Sequence, residues 1–184
     1  MASSPSISDE KRMEYMDTIK NFMIEDSKRG VESGLNYLVA LGMSAYTEIL
    51  GGLCNRNLQS NHKGAYELFL RNYFDKKCGC EYMKVDDELK DLGGLYGVVR
   101  SGFVHKYLLT KKSFVATHSD SPLKCAIIYN RKEDPEIIFV VEEYFKHFRC
   151  ALETYYDELI NKKDIHLIQN FDLAVTRSDL ISED

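Results

Sequence analysis

Proline is scarce in this chain, with three residues at positions 5, 122 and 135, so little prevents long uninterrupted helices. Long apolar runs are missing too. The longest uncharged stretch, Ser33 to Thr47, ends after 15 residues and is broken by glycines, which is short of a membrane-spanning helix. The opening residues MASSPSISDEKR lack the apolar core of a signal peptide. Five cysteines (54, 78, 80, 125 and 150) are an odd number and form no framework of the kind that staples small secreted domains. A reducing, cytoplasmic setting with no membrane partner is therefore expected.

Several chemical signatures are also missing. No GxxxxGK[ST] or GxGxxG stretch offers a phosphate-cradling loop, and no HExxH or GxSxG marks a zinc protease or an α/β-hydrolase. Cys78 and Cys80 could give two soft metal ligands, but no second close Cys or His pair completes a tetrahedral site. They are read as a turn carrying two thiols, and Cys54, Cys125 and Cys150 as small core residues. The expectation is no metal and no cofactor. Glu142 and Glu143, adjacent on a helix, face apart and are read as solvated charge.

What is there is enough for one packed domain. The chain has 184 residues, 44% hydrophobic and 29% charged, a globular and not a disordered composition. A single domain over 1–184 is expected, with flexible ends at 1–8 and 177–184. The net charge of −5 argues at first against nucleic acid. Its distribution argues otherwise. Between Arg100 and Lys132 seven basic residues face one acid, Asp120, a net +6 that leaves −11 to the rest of the chain.

Helical periodicity recurs in five main segments. Ser8 or Asp9 can cap a first helix to about Arg29, with Met13, Met16, Ile19, Phe22 and Met23 on one face. A second, from about Leu35 to Leu53, is apolar on too wide a stripe for a surface helix and should be central. A third runs from about Asn61 to Asp75 on Tyr66, Phe69, Leu70, Tyr73 and Phe74. Asp86, Asp87 and Glu88 suit the start of a fourth, with Leu89, Leu92, Leu95, Tyr96, Val99 and Phe103 inward. Asp134-Pro135 reads as the start of a fifth, and Asp164 can cap a short sixth. Between the fourth and fifth, Ser113–Thr117 and Lys124–Tyr129 flank a turn and predict a small hairpin. The expected fold is all-α, an antiparallel bundle of four to five main helices with a short β-hairpin insert.

Chemistry concentrates at the end of the fourth helix, where Arg100 and His105 stand five positions apart at the edge of the basic run. Arginine offers a planar, permanently charged fork for a phosphate, and histidine exchanges protons near neutral pH. The pair suffices in principle to cleave RNA without a metal. The imidazole would take the proton of a ribose 2′-hydroxyl, and the guanidinium would stabilise charge building on the phosphate.

These residues resemble the HEPN family. Arg100-x4-His105 at the end of a bundle helix, after a glycine-rich apolar run, is similar to its Rx4–6H motif. The helix order from the second to the fifth helix is similar too. The resemblance implies a homodimer with the two motifs facing across the interface, and metal-independent endoribonuclease activity in defence, toxin–antitoxin or RNA-processing settings. A nucleotidyltransferase antitoxin is the sort of partner it implies. By position, Arg100 would stabilise the phosphate, His105 would transfer the proton and Ser101 would occupy the position after the arginine. There the family often has Asn, Asp or His, so serine is a departure.

Alternatives stay open. On an ideal helix five residues turn by about 140° net, so Arg100 and His105 do not share a face. Either the helix loosens at Gly102, or the site is built from two protomers, or the pair is not a catalytic unit. In the last case Arg100 pairs with an acid on a neighbouring helix, such as Glu48 or Glu143. Lys106, Lys111, Lys112, Lys124, Arg131 and Lys132, interleaved with Tyr107, Phe114 and Tyr129, either grip an RNA backbone or form an ordinary charged surface. A non-catalytic HEPN-type module that binds a protein or a nucleotide is the alternative function. His118, beside Ser119 and Asp120 in the turn, is read as a surface residue, and His62, His147 and His166 have no assigned role.

Overall fold

The computed structural model describes residues 7–102, 113–131 and 136–178. Asp134, Pro135, and the site residues His105, Lys106, Lys111, Lys112 and Lys132 lie outside these. Within the described residues the chain is mostly helical, with seven helices and one three-stranded sheet. The helices are α1 (Asp9–Glu32), α2 (Asn36–Cys54), α3 (His62–Phe69), α4 (Tyr82–Glu88), α5 (residues 94–102), α6 (Val141–Tyr156) and α7 (Ile165–Arg177). α3 continues through a π turn, Leu70–Asp75, to Cys78, and α6 through a π turn, Asp157–Asn161.

Local signals set several ends. The Ser8 side chain accepts from the Lys11 N–H at the start of α1, and Asp164 accepts from the N–H groups of His166 and Leu167 at the start of α7. Both satisfy donors that a helix leaves unpaired. The predicted fourth helix is instead two pieces. Gly93 and Gly94 adopt φ values of +95° and +71°, which costs glycine little and other residues much, and the chain turns there. The acids 86–88 thus end α4 and do not begin a helix locally. Asp86 still caps one, because its Oδ1 accepts from the Leu95 N–H of α5 at 2.7 Å.

α2 lies at the centre, packed against α1, α3, α6 and α7. It is long and apolar enough to cross a membrane by composition, and 56% of its most apolar window is buried among the other helices. Its inward side is Val39, Ala40, Met43, Ser44, Thr47, Leu50, Gly51 and Leu53, while Leu38 and Ile49 of the same apolar stripe are exposed. α1 likewise buries Arg12, Met16, Met23, Ser27 and Gly30 and leaves Met13 and Phe22 exposed. The inward seam of α1 is richer in small and polar residues than apolar periodicity alone suggests. Phe22 instead lies edge-on to Tyr46. The core is aromatic: Tyr66, Phe69, Phe74, Tyr82, Phe139, Tyr144, Phe148 and Tyr155 are fully buried. Each such side chain contributes roughly 1.5–3 kcal/mol by leaving water. The Tyr144 hydroxyl is satisfied by Thr47 Oγ1 at 2.9 Å.

Gly51 is where α2 and α3 come closest. A Cβ there would overlap the backbone carbonyl of Ala65, whereas a Cβ on Gly42 in the same helix meets open space. Gly51→Ala is expected to lose about 1–3 kcal/mol, and Gly42→Ala to be neutral or to gain up to about 1 kcal/mol from helix propensity. Urea denaturation of the two variants checks the contrast, and equal stabilities would refute the close approach.

The β insert departs from the expected hairpin. β1 (Ser113–Ala116) and β2 (Ile127–Asn130) do form, but β3 (Glu136–Val140) lies between them, parallel to β1 and antiparallel to β2. The fifth helix therefore does not start at Pro135. Ile137, Ile138, Phe139 and Val140 suit a pleated strand, and Ile137 and Phe139 alternate inward. The four-residue step from Ile137 to Val141 mimics a helical period. β3 passes directly into α6, and the Thr117 carbonyl accepts from Glu142 N–H at this junction.

Cysteine usage is also corrected. Cys78 and Cys150 form a disulfide between the end of the α3 extension and α6, and Cys150 is exposed, not core. Cys54 and Cys80 are buried free thiols, and Cys125 is a partly buried one.

Candidate functional site

Buried Leu95, Val98 and Val99 anchor α5 in the core. Within α5 a π turn spans Tyr96–Arg100, a local widening that recurs at functional positions. Any loosening at Gly102 was expected after the arginine. The widening lies before it, and Gly102 itself is helical and buried.

Arg100 is 23% exposed, and its Nε donates to Glu48 Oε2 at 2.8 Å. Of the two acids considered as neighbours for it, Glu48 is the one it meets. Glu48 is the single charged residue of α2, and its side chain is 12% exposed. Its other oxygen, Oε1, stands 2.9 Å from Nδ1 of His62, which is the first residue of α3 and 49% exposed. Tyr96 completes the group. Burial and then the nearby Glu48 charge push its phenol above the ordinary range, partly offset by Arg100, and its ring stands edge-on to Tyr66. One mostly buried carboxylate thus gathers a guanidinium from α5 and an imidazole from α3, with both side chains reaching the surface.

Ser101 follows Arg100 on the same helix and is partly exposed. Glu143, the other acid considered for Arg100, is buried, in contrast to the solvated charge expected. It accepts from Lys146 Nζ at 2.6 Å and from the Leu123 N–H at 3.4 Å. Burial raises its carboxyl, but these partners outweigh that and hold it below the usual range. Of the six basic residues proposed to hold RNA, Lys124 and Arg131 are described. Lys124 pairs with Glu81 at 3.0 Å, and Arg131 is exposed just after β2. Phe114 is exposed and Tyr129 partly buried.

The other histidines divide plainly. His118 is exposed and meets Glu142 at 2.9 Å. His147 meets the buried Tyr82 hydroxyl at 3.0 Å, and burial lowers its pKa. His166 is exposed on α7. Among the described residues no three His, Cys, Asp or Glu side chains converge as a metal site would require.

His62 carried no role in the sequence reading, and Glu48 entered it as a candidate ion-pair partner of Arg100 and not as the centre of a site. A signal was nonetheless available. A lone acid in an otherwise uncharged core helix must find a cation, because a buried unpaired charge is costly.

Compared with known proteins, the chain matches no family model, no curated sequence and no solved structure significantly.

Proposed function

We propose that this chain is a HEPN-like, metal-independent endoribonuclease, homodimeric, with Arg100 and His105 working at the dimer interface. The observation that supports this reading is the seating of Arg100. Its Nε is tied to a mostly buried carboxylate while the side chain still reaches solvent. A guanidinium oriented in this way carries its other four N–H donors on the two terminal nitrogens, the fork that matches a phosphate. His105 takes the 2′-hydroxyl proton, and Ser101 adds a hydroxyl beside the guanidinium. Lys106, Lys111, Lys112, Lys124, Arg131 and Lys132 supply charge for the RNA backbone. A nucleotidyltransferase antitoxin is the partner consistent with this class.

The test is cleavage of single-stranded RNA in EDTA. Wild type should cleave, and Arg100→Ala and His105→Ala should each lose about 100-fold or more. Absence of cleavage by wild type over a broad substrate set, or full activity in both variants, refutes the reading.

The same ion pair favours a second reading. Glu48 neutralises Arg100, which suits a structural arginine in a non-catalytic module that binds a protein or a nucleotide. That reading expects a folded protein without ribonuclease activity and a partner that co-purifies with it.

A further inference from the structure

Cleavage by 2′-hydroxyl attack needs two proton transfers. One proton leaves the attacking 2′-oxygen, and another reaches the departing 5′-oxygen. His105 has the first role in the function proposed above, on which this inference rests, and the second role needs another group. We propose that His62 supplies it, from the same protomer as Arg100.

The juxtaposition at Glu48 carries the argument. Its two oxygens hold Arg100 Nε at 2.8 Å and His62 Nδ1 at 2.9 Å. A phosphate gripped by the guanidinium therefore lies beside the imidazole. The exposures are graded in the sense a working site needs, from 12% at Glu48 through 23% at Arg100 to 49% at His62. The carboxylate is rooted in the core helix and the imidazole is half exposed. Because the ring turns Nδ1 toward Glu48, Nε2 is the nitrogen that meets a substrate. An imidazolium has an N–H there, and a neutral ring holding its proton on Nδ1 has a lone pair there. Tyr96, beside Glu48 with its phenol held neutral, adds no competing charge. Glu48 itself is a positioning residue.

The step balances without a metal or redox partner. The 2′-oxygen bonds to phosphorus as its proton passes to His105. The bond from phosphorus to the 5′-oxygen breaks as the His62 imidazolium gives that oxygen its proton. A 2′,3′-cyclic phosphate and a 5′-hydroxyl result, and exchange with water resets both rings.

A leaving-group substitution isolates this step. RNA carrying sulfur in place of the bridging 5′-oxygen expels a thiolate, which needs no protonation. On ordinary RNA, His62→Ala and His62→Gln should lose about 100-fold relative to wild type. On the sulfur-bridged RNA both should return to within a few-fold of wild type, while His105→Ala stays slow on both substrates. Thermal melting of both His62 variants establishes that they are folded, as expected for a half-exposed side chain. Undiminished cleavage of ordinary RNA by folded His62 variants, or an equal loss on the sulfur-bridged substrate, overturns the assignment and leaves the nuclease reading standing. Failure of wild type to cleave either substrate overturns both.

Discussion

Replacing Asp172 with alanine is expected to destabilise the protein by about 3–5 kcal/mol, the loss typical of breaking a buried ion pair on one side. Arg12 on α1 and Asp172 on α7 are each 4% exposed. The guanidinium grips the carboxylate with two donors, Nε to Oδ1 at 3.0 Å and Nη2 to Oδ2 at 2.9 Å. The same groups also hold the chain before α1. The Ile7 N–H donates to Asp172 Oδ2 at 3.1 Å, and the Ile7 carbonyl accepts from Arg12 Nη2 at 2.8 Å. Burial disfavours the Arg12 charge, and the hydrogen bonds it donates to Asp172 and Asp9 outweigh that, so the guanidinium is held above its ordinary pKa. Removing Asp172 leaves that cation, among the described residues, with the exposed carboxylate of Asp9 and the Ile7 carbonyl. Urea denaturation measures the loss. The double replacement Arg12→Met with Asp172→Leu should recover most of it, because a buried pair exchanged for apolar groups is often neutral. A loss below about 1 kcal/mol for Asp172→Ala would mean that the pair does not hold the two helices together.

Reduction of the Cys78–Cys150 bond should have an effect of similar size. The bond joins residues 72 apart in sequence, and a closed loop of that length limits the unfolded chain by about 4 kcal/mol in the chain-entropy account. For a protein of this size that corresponds to a fall in melting temperature of roughly 10 °C. Cys150 is exposed, so a thiol reductant reaches the bond without unfolding. Cys150→Ser should melt at the reduced temperature with or without reductant. Wild type that melts identically in both conditions would refute a stabilising link. The remaining cysteines should not respond, since burial raises the thiols of Cys80 and Cys125 to about 12 and that of Cys54 higher still, which keeps them protonated and inert.

The parts of the fold that were legible in the sequence are those set by neighbours along the chain. Ser8 and Asp164 were readable as caps because the donors they satisfy lie two or three residues away. α2 was readable as central because its apolar stripe is too wide for a surface. Which side of α2 faces inward was not, since Leu38 and Val39 are equally apolar, and the choice is made by what α1 and α3 present to them. Asp134-Pro135 pointed to a helix start, yet the strand after it wins on its β-branched side chains and on pairing with two segments, the nearby β2 and the more distant β1. The cysteines misled for a related reason. An odd count says nothing about two thiols that tertiary structure brings together. At the candidate site, the guanidinium and its acid could be named as a pair because both stand out in apolar surroundings. His62 could not, because its link to Arg100 passes through a third residue on another helix.

The placement of β3 has a consequence for the order of events in folding. β1 and β2 leave the ribosome first, and neither can find its sheet partner, because the strand both need is synthesised after them. Until Val140 has emerged, two short segments rich in β-branched and aromatic residues have open edges on either side. Once β3 has emerged it offers an edge to each of them, and the first turn of α6 follows it without a break. For this protein, the interval between synthesis of Ser113 and synthesis of Val141 is the period of greatest exposure to mispairing with another chain.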